Sequence, residues 1–159
     1  PIEVQPGVLD LLKSNIGLNW HRAFDLSHLG LGLGRSTGYA EIEKFSLNNL
    51  GGTSLREVHN PTDSGISDPR RDSVFRIEAG DNLFAPHDFD IVKVDVEGME
   101  LDVMRGMESF FLNYKGLLFV EVRDDNVGEC AEYFEHHGWV IVSEYRRYQL
   151  CSNWYLKKG

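Results

Sequence analysis

An apolar run at residues 90–97 reads Asp90-Ile91-Val92-Lys93-Val94-Asp95-Val96-Glu97, and Gly98 follows it. A carboxylate at the end of a strand can position a substrate hydroxyl, take its proton as a general base, or hold a hard metal ion. In an open α/β sheet, ligands bind outside the carboxyl ends of the strands. Asp95 and Glu97 occupy that position, and two more predicted strand ends carry acids, Glu3 and Glu121. If those strands run parallel, the four side chains gather along one edge of the sheet. Asp95, Glu97, Glu121 and Lys93 are therefore the candidate catalytic residues. Asp95 and Glu97 are the candidate ligands if a divalent metal is used. Lys93 lies within an apolar strand, where a buried ammonium needs a partner, and Asp95 two residues on is the expected one. The competing role for Asp95 and Glu97 is to charge the start of the next helix. Glu100 is read as a helix N-terminal acid.

A second candidate is Gly30-Leu31-Gly32-Leu33-Gly34. Glycine-rich loops cradle phosphates when they join a strand to a helix. Here Arg35-Ser36-Thr37-Gly38 and a weakly alternating segment follow instead, which favours a chain bend at a sheet edge. The six histidines (His21, His28, His59, His87, His136, His137) lack metal-ligand spacing, and no Walker loop or G-x-S-x-G elbow occurs.

The elements that would position these groups follow from periodicity and punctuation. A strand is predicted at residues 2–4, then a turn at Gln5-Pro6-Gly7 and a helix carrying Val8, Leu9, Leu11, Leu12 and Ile16. Strands are predicted at 20–33 and 39–47. Residues 48–72, rich in Asn, Gly, Ser, Pro and Asp, read as a long loop of the kind that often binds ligands. A short strand at 74–77, a turn at Gly80-Asp81-Asn82 and a buried strand at 91–96 come next. One helix is predicted from Met99 through Phe111, closed near Gly116. A strand at 117–122 precedes a helix with Asp124-Asp125-Asn126 as its N-cap candidates and Gly138 as its stop. Two strands, at 139–142 and 154–156, flank Arg146-Arg147. Apolar strands alternating with helices predict a parallel sheet covered on both faces, and the last strand pair suits an antiparallel hairpin.

At 159 residues the chain suits one domain, 1–159, with a core of its own. A net charge of −9 argues against a nucleic-acid partner, and the basic pairs Arg70-Arg71 and Arg146-Arg147 read as solvated surface. No apolar run reaches the ~18 residues of a membrane span. Two cysteines, Cys130 and Cys151, are too few for a disulfide framework, so a cytoplasmic setting is expected. Oligomeric state is not encoded in any pattern here.

The stretch IVKVDVEGMELDVMRG with the later FVEV resembles the central motif of FkbM-type methyltransferases, which use S-adenosylmethionine (SAM). Glu3-Val4-Gln5-Pro6 with Leu11-Leu12-Lys13-Ser14-Asn15 resembles that family's acidic strand end and following helix. Leu33-Gly34 with Gly38 resembles its post-strand turn, and Asn49-Leu50-Gly51-Gly52-Thr53-Ser54-Leu55 its Asn/Gly/Ser loop. Asp81-Asn82-Leu83 and Asn153 also fit, so the similarity spans nearly the whole chain. The resemblance implies an α/β, Rossmann-like class I methyltransferase fold, with a mostly parallel sheet and an antiparallel C-terminal strand. It implies O-methylation of a hydroxyl on a sugar, glycan or secondary metabolite, hence a small-molecule or glycan acceptor as partner. By position, Glu3 would hold the SAM ribose, the backbone at Gly32 and Leu33 would face the adenine, and Asp95 and Glu97 would line the methyl-transfer cleft. Asn49, Gly51, Gly52 and Ser54 would form a substrate loop, and Glu121 would shape the acceptor pocket. The family's first strand and glycine-rich SAM loop would precede Glu3, so an N-terminally truncated domain is expected.

The alternative from another class is a non-catalytic Rossmann-like binding or assembly module, or an inactive fragment. A phosphoacceptor receiver domain with Asp95 as acceptor is disfavoured, because it needs paired acids after the first strand and a lysine after a late one.

Overall fold

The computed structural model describes residues 1–44, 52–58 and 74–159, which fall into two compact units, Pro1–Glu78 and Ala79–Gly159. The expected strand at residues 2–4 is absent. Its backbone is committed elsewhere: Glu3 Oε1 accepts from the Val4 and Gln5 N–H groups at 2.8 and 2.7 Å, and the Glu3 carbonyl accepts from Gly30 N–H at 2.9 Å. Gln5 then caps the helix Pro6–Leu18 (α1), accepting from Val8 N–H at 2.5 Å, with Pro6 at the first helical position where its missing N–H costs nothing.

The strand expected at 20–33 is also absent over most of that length; only Gly32–Gly34 (β1) forms. Asp25 accepts from the backbone N–H and hydroxyl of Ser27, a local turn that competes with extended pairing. Gly38–Lys44 (β2), Ser54–Val58 (β3) and Val74–Ala79 (β4) join β1 in a sheet of order β1-β4-β2-β3. Here β2 runs antiparallel to both β3 and β4. Part of the expected long loop is thus a strand, β3, whose ladder with β2 places Ser54 opposite Lys44. Asn49, Gly51, His59 and Arg70-Arg71 lie outside the described residues.

The second unit begins with 3-10 turns at Gly80–Asn82 and Pro86–Asp88. Its elements are Ile91–Val94 (β5), Glu100–Gly106 (α2), Glu108–Asn113 (α3), Leu117–Arg123 (β6), Val127–His136 (α4), Trp139–Tyr148 (β7) and Cys151–Lys158 (β8). The single helix expected over 99–111 is broken at Met107. The Asp81 carboxylate accepts from Ser109 and Phe110 N–H at 2.9 and 2.7 Å, which lets a second helix start there with its free donors satisfied. Gly80 belongs to the same joint, since an added Cβ would lie 2.3 Å from the Met107 side chain.

The sheet order is β5-β6-β8-β7. β5 and β6 are parallel, and β8 is antiparallel to both β6 and β7. The chain is therefore mixed α/β: the β5–β6 ladder is parallel while β2–β3, β2–β4, β6–β8 and β7–β8 are antiparallel, so these ladders do not establish the mostly parallel sheet expected from sequence. The expected antiparallel C-terminal strand is present as β8.

Coverage on both faces is corrected. Along β6, Leu118, Val120 and Val122 are buried while Leu117 and Phe119 are exposed, the period-2 signature of a sheet covered on one side. The covered side meets Val103, Met104, Phe110, Phe111, Phe134, Trp154 and Leu156 in one core. No helix among the described residues is long and apolar enough to cross a membrane.

Candidate active site

Three of the four candidate catalytic residues are brought together. One carboxylate oxygen each from Asp95, Glu97 and Glu121 lies within 4.8 Å of the others. Parallel pairing of β5 and β6 explains the proximity. Lys93 and Val94 sit opposite Phe119 and Val120, so the chain leaving β5 passes beside Glu121. Glu121 faces Asn153 across the β6–β8 ladder, and Arg123 faces Cys151.

Lys93, expected to be buried, is exposed, because it shares the uncovered sheet face with Phe119. Its expected partner is correct: Nζ lies 2.6 Å from Asp95 Oδ2. That ion pair is exposed on both sides and adds little to stability; it holds Asp95 in place.

Glu97 is the unusual residue. Its φ of 48° lies in the left-handed region, alone among the described non-glycine residues, and Gly98 continues the turn at φ 106°. A side chain in that conformation carries strain, which surrounding structure must offset, and such strain concentrates at functional sites. Burial pushes the Glu97 carboxyl above its ordinary value, and the neighbouring charges of Asp95 and Glu121 push it the same way, against a smaller opposing pull from Arg123. A carboxylate raised in this way is a stronger base at neutral pH than a solvated one. Cys151 stands beside the cluster with its thiol hydrogen-bonded to Glu121; burial first, and that contact second, raise it to about 11, so it is neutral near pH 7.

Beneath the turn is a buried polar knot. Glu100, 1% exposed, accepts from Gly98 N–H at 2.9 Å through Oε1 and from Asn126 Nδ2 at 2.6 Å through Oε2. Asn126 also donates to the Gly98 carbonyl at 3.1 Å. Asn126 does stand at the N-cap of α4, but its side chain makes no capping bond. Sequence reasoning missed this second duty, and a lone Asn gives no signal for it. Arg123 was also missed; its place two residues after Glu121 in a strand, hence on the same face, was an available sign.

The remaining candidates lie in the first unit. Glu3 supports the start of α1, as described above. Gly32 and Gly34 are buried in β1, where an added Cβ would lie 2.9 and 2.7 Å from Ile77. Leu33 is half-buried between them, and Gly52 precedes β3.

Residues 1–149 match the model of the FkbM methyltransferase domain. No curated protein and no solved structure matches the chain.

Proposed function

Because the chain belongs to the FkbM methyltransferase domain family, we propose that it is an O-methyltransferase in which Glu97 takes the proton from an acceptor hydroxyl. The observation that carries this reading is the convergence of Asp95, Glu97 and Glu121 at a strained turn, where burial and the two neighbouring carboxylates raise the Glu97 carboxyl. An alcohol is a poor nucleophile until its proton is removed. Glu97 is the group suited to that step, while Asp95, held in place by Lys93, and Glu121 accept hydrogen bonds from neighbouring hydroxyls of the acceptor. Several acceptors on one face suit a polyol, so the acceptor class is a sugar, a glycan or a hydroxylated secondary metabolite. The methyl donor in this reading is SAM, which supplies an electrophilic methyl group when bound.

In this reading the ribose hydroxyls of the donor are held by the Glu3 carboxylate, which is oriented by two backbone N–H groups on Oε1. β1 is an edge strand, so the backbone at Gly32 and Leu33 suits contact with a flat base. A Rossmann-like architecture is consistent with the second sheet, in which β5, β6 and β7 share a direction and β8 alone opposes it.

A second reading has one observation in its favour. Three carboxylate oxygens within reach of one another are the donor set for a hard divalent cation, which would act as a Lewis acid on the acceptor oxygen. Dialysis against a chelator separates the two: the base reading keeps full activity, and the metal reading loses it until Mg²⁺ or Mn²⁺ is restored.

The reading is tested by incubating the full chain with SAM labelled in the methyl group and a panel of methyl glycosides and oligosaccharides. Label is expected in a hydroxyl-bearing product. A chain shown to be folded that gives no heat with SAM or S-adenosylhomocysteine by calorimetry would support a non-catalytic module instead.

A further inference from the structure

The buried contacts of Asn126 have a consequence for the geometry of the acidic cluster. Asn126 opens α4, just beyond the end of β6. Its own N–H donates to the Arg123 carbonyl at 2.9 Å, and its carbonyl accepts from Cys130 N–H at 2.9 Å. The residue is therefore fixed to the strand that carries Glu121. Its amide then crosses to the turn after β5, donating to the Gly98 carbonyl at 3.1 Å and to the Glu100 carboxylate at 2.6 Å. Glu100 closes the loop by accepting from Gly98 N–H. Gly98 has both its N–H and its C=O tied to this knot, directly after the one described non-glycine residue with positive φ.

We propose that Asn126 is a positioning residue: through Gly98 and the buried Glu100, it holds Glu97 in the left-handed conformation and fixes its separation from Glu121. The functional weight of this rests on Glu97 being the acceptor base. A turn in an unfavourable backbone region relaxes once its restraints are removed. The amide is well chosen for the task, since one NH₂ group supplies two donors, one for a carbonyl and one for a carboxylate. An aspartate at the same position would set a second negative charge against Glu100.

The test uses the full chain, labelled with ¹³C and ¹⁵N. A left-handed residue gives a strong intraresidue NOE between its amide and α protons. In Asn126→Ala this NOE is expected to weaken at Glu97, while cross-strand NOEs between β6 and β8 persist. A left-handed Glu97 retained in Asn126→Ala overturns the proposal.

Should Asn126→Ala fail to fold, Glu100→Gln decides. Its amide keeps an acceptor for Gly98 N–H but turns a donor toward Asn126, so the Gly98 carbonyl loses its bond and the same weakening is expected. An unchanged Glu97 signal there overturns the proposal equally. In kinetics with labelled SAM and a methyl hexoside, Asn126→Ala is expected to lower kcat roughly 10- to 100-fold and to add no further loss to Glu97→Gln. Additive losses would contradict it. The NOE does not depend on whether Glu97 is a base, so failure of that separate reading would show only as native turnover in Glu97→Gln.

Discussion

Two glycine-bearing segments, Glu97-Gly98 and Gly32–Gly34, carry glycine for different physical reasons. At Gly98 the backbone needs a positive φ, and the tight turn places Glu97 beside Asp95 and Glu121. At Gly32 and Gly34 the backbone is ordinary strand, and what excludes a side chain is Ile77 lying against it, joined at Gly34 by the Glu57 carboxylate at the end of a flexible side chain. The first glycine serves the direction in which a neighbour points, and the second serves packing. A ligand-binding reading is therefore better supported where glycine bends the chain toward charged groups than where it merely makes room.

The contrast can be broken most forcefully at the acids. Glu97→Gln is expected to cut methyl-transfer turnover by at least ~100-fold, and Asp95→Asn, which removes a positioning acceptor, by a smaller factor, with the circular dichroism spectrum unchanged in both. Native rates in both would remove the chemical half of the comparison.

At the packing glycines the effect is on stability. Gly34→Ala should destabilise by about 1–3 kcal/mol in urea unfolding, the usual cost of overpacking. Since the closest Ile77 atom is Cδ1, at 2.7 Å from the added Cβ, the loss should shrink in an Ile77→Val background. Equal losses in both backgrounds would show that Ile77 is not the reason for the glycine.

A smaller effect is expected at Gly98→Ala, about 1–2 kcal/mol from the positive φ alone. The nearest obstruction there is the Arg123 side chain, which can swing aside. A further outcome concerns pH. Because the folded-state value of Glu97 is raised, its ionisation opposes folding. The penalty is absent below the unfolded-state value, grows as pH rises toward the folded one, and is complete above it. Glu97→Gln should therefore raise the melting temperature slightly near pH 7 to 8 and leave it unchanged near pH 3.

Much of the second unit was readable from sequence because its signals are local. β5, β6 and α4 follow from apolar runs and their punctuation, and Gly138 ends α4 with the positive φ expected of a helix stop. The acid pair and the Lys93–Asp95 contact followed from spacing within one strand. What escaped depends on partners distant in the chain. The break between α2 and α3 requires Asp81, and β3 requires the ladder with β2. The tether from Asn126 to Gly98 spans 28 residues. The strand expected at 2–4 failed for the opposite reason, a side-chain bond too local for hydrophobic patterning to register. Coverage on both sheet faces was inferred from the apolar content of β6, which does not distinguish a covered apolar side chain from an exposed one such as Phe119.

The central claim is that burial beside Asp95 and Glu121, at the turn that holds the three together, makes Glu97 a poised base, and its ionisation can be followed directly. The ¹³Cδ shift of Glu97, titrated in the folded chain beside the pH profile of kcat/KM, should give a midpoint above that of an ordinary glutamate and coincident with the acid limb of the profile. A midpoint at or below the ordinary value, or an acid limb that persists unmoved in Glu97→Gln, would contradict the account.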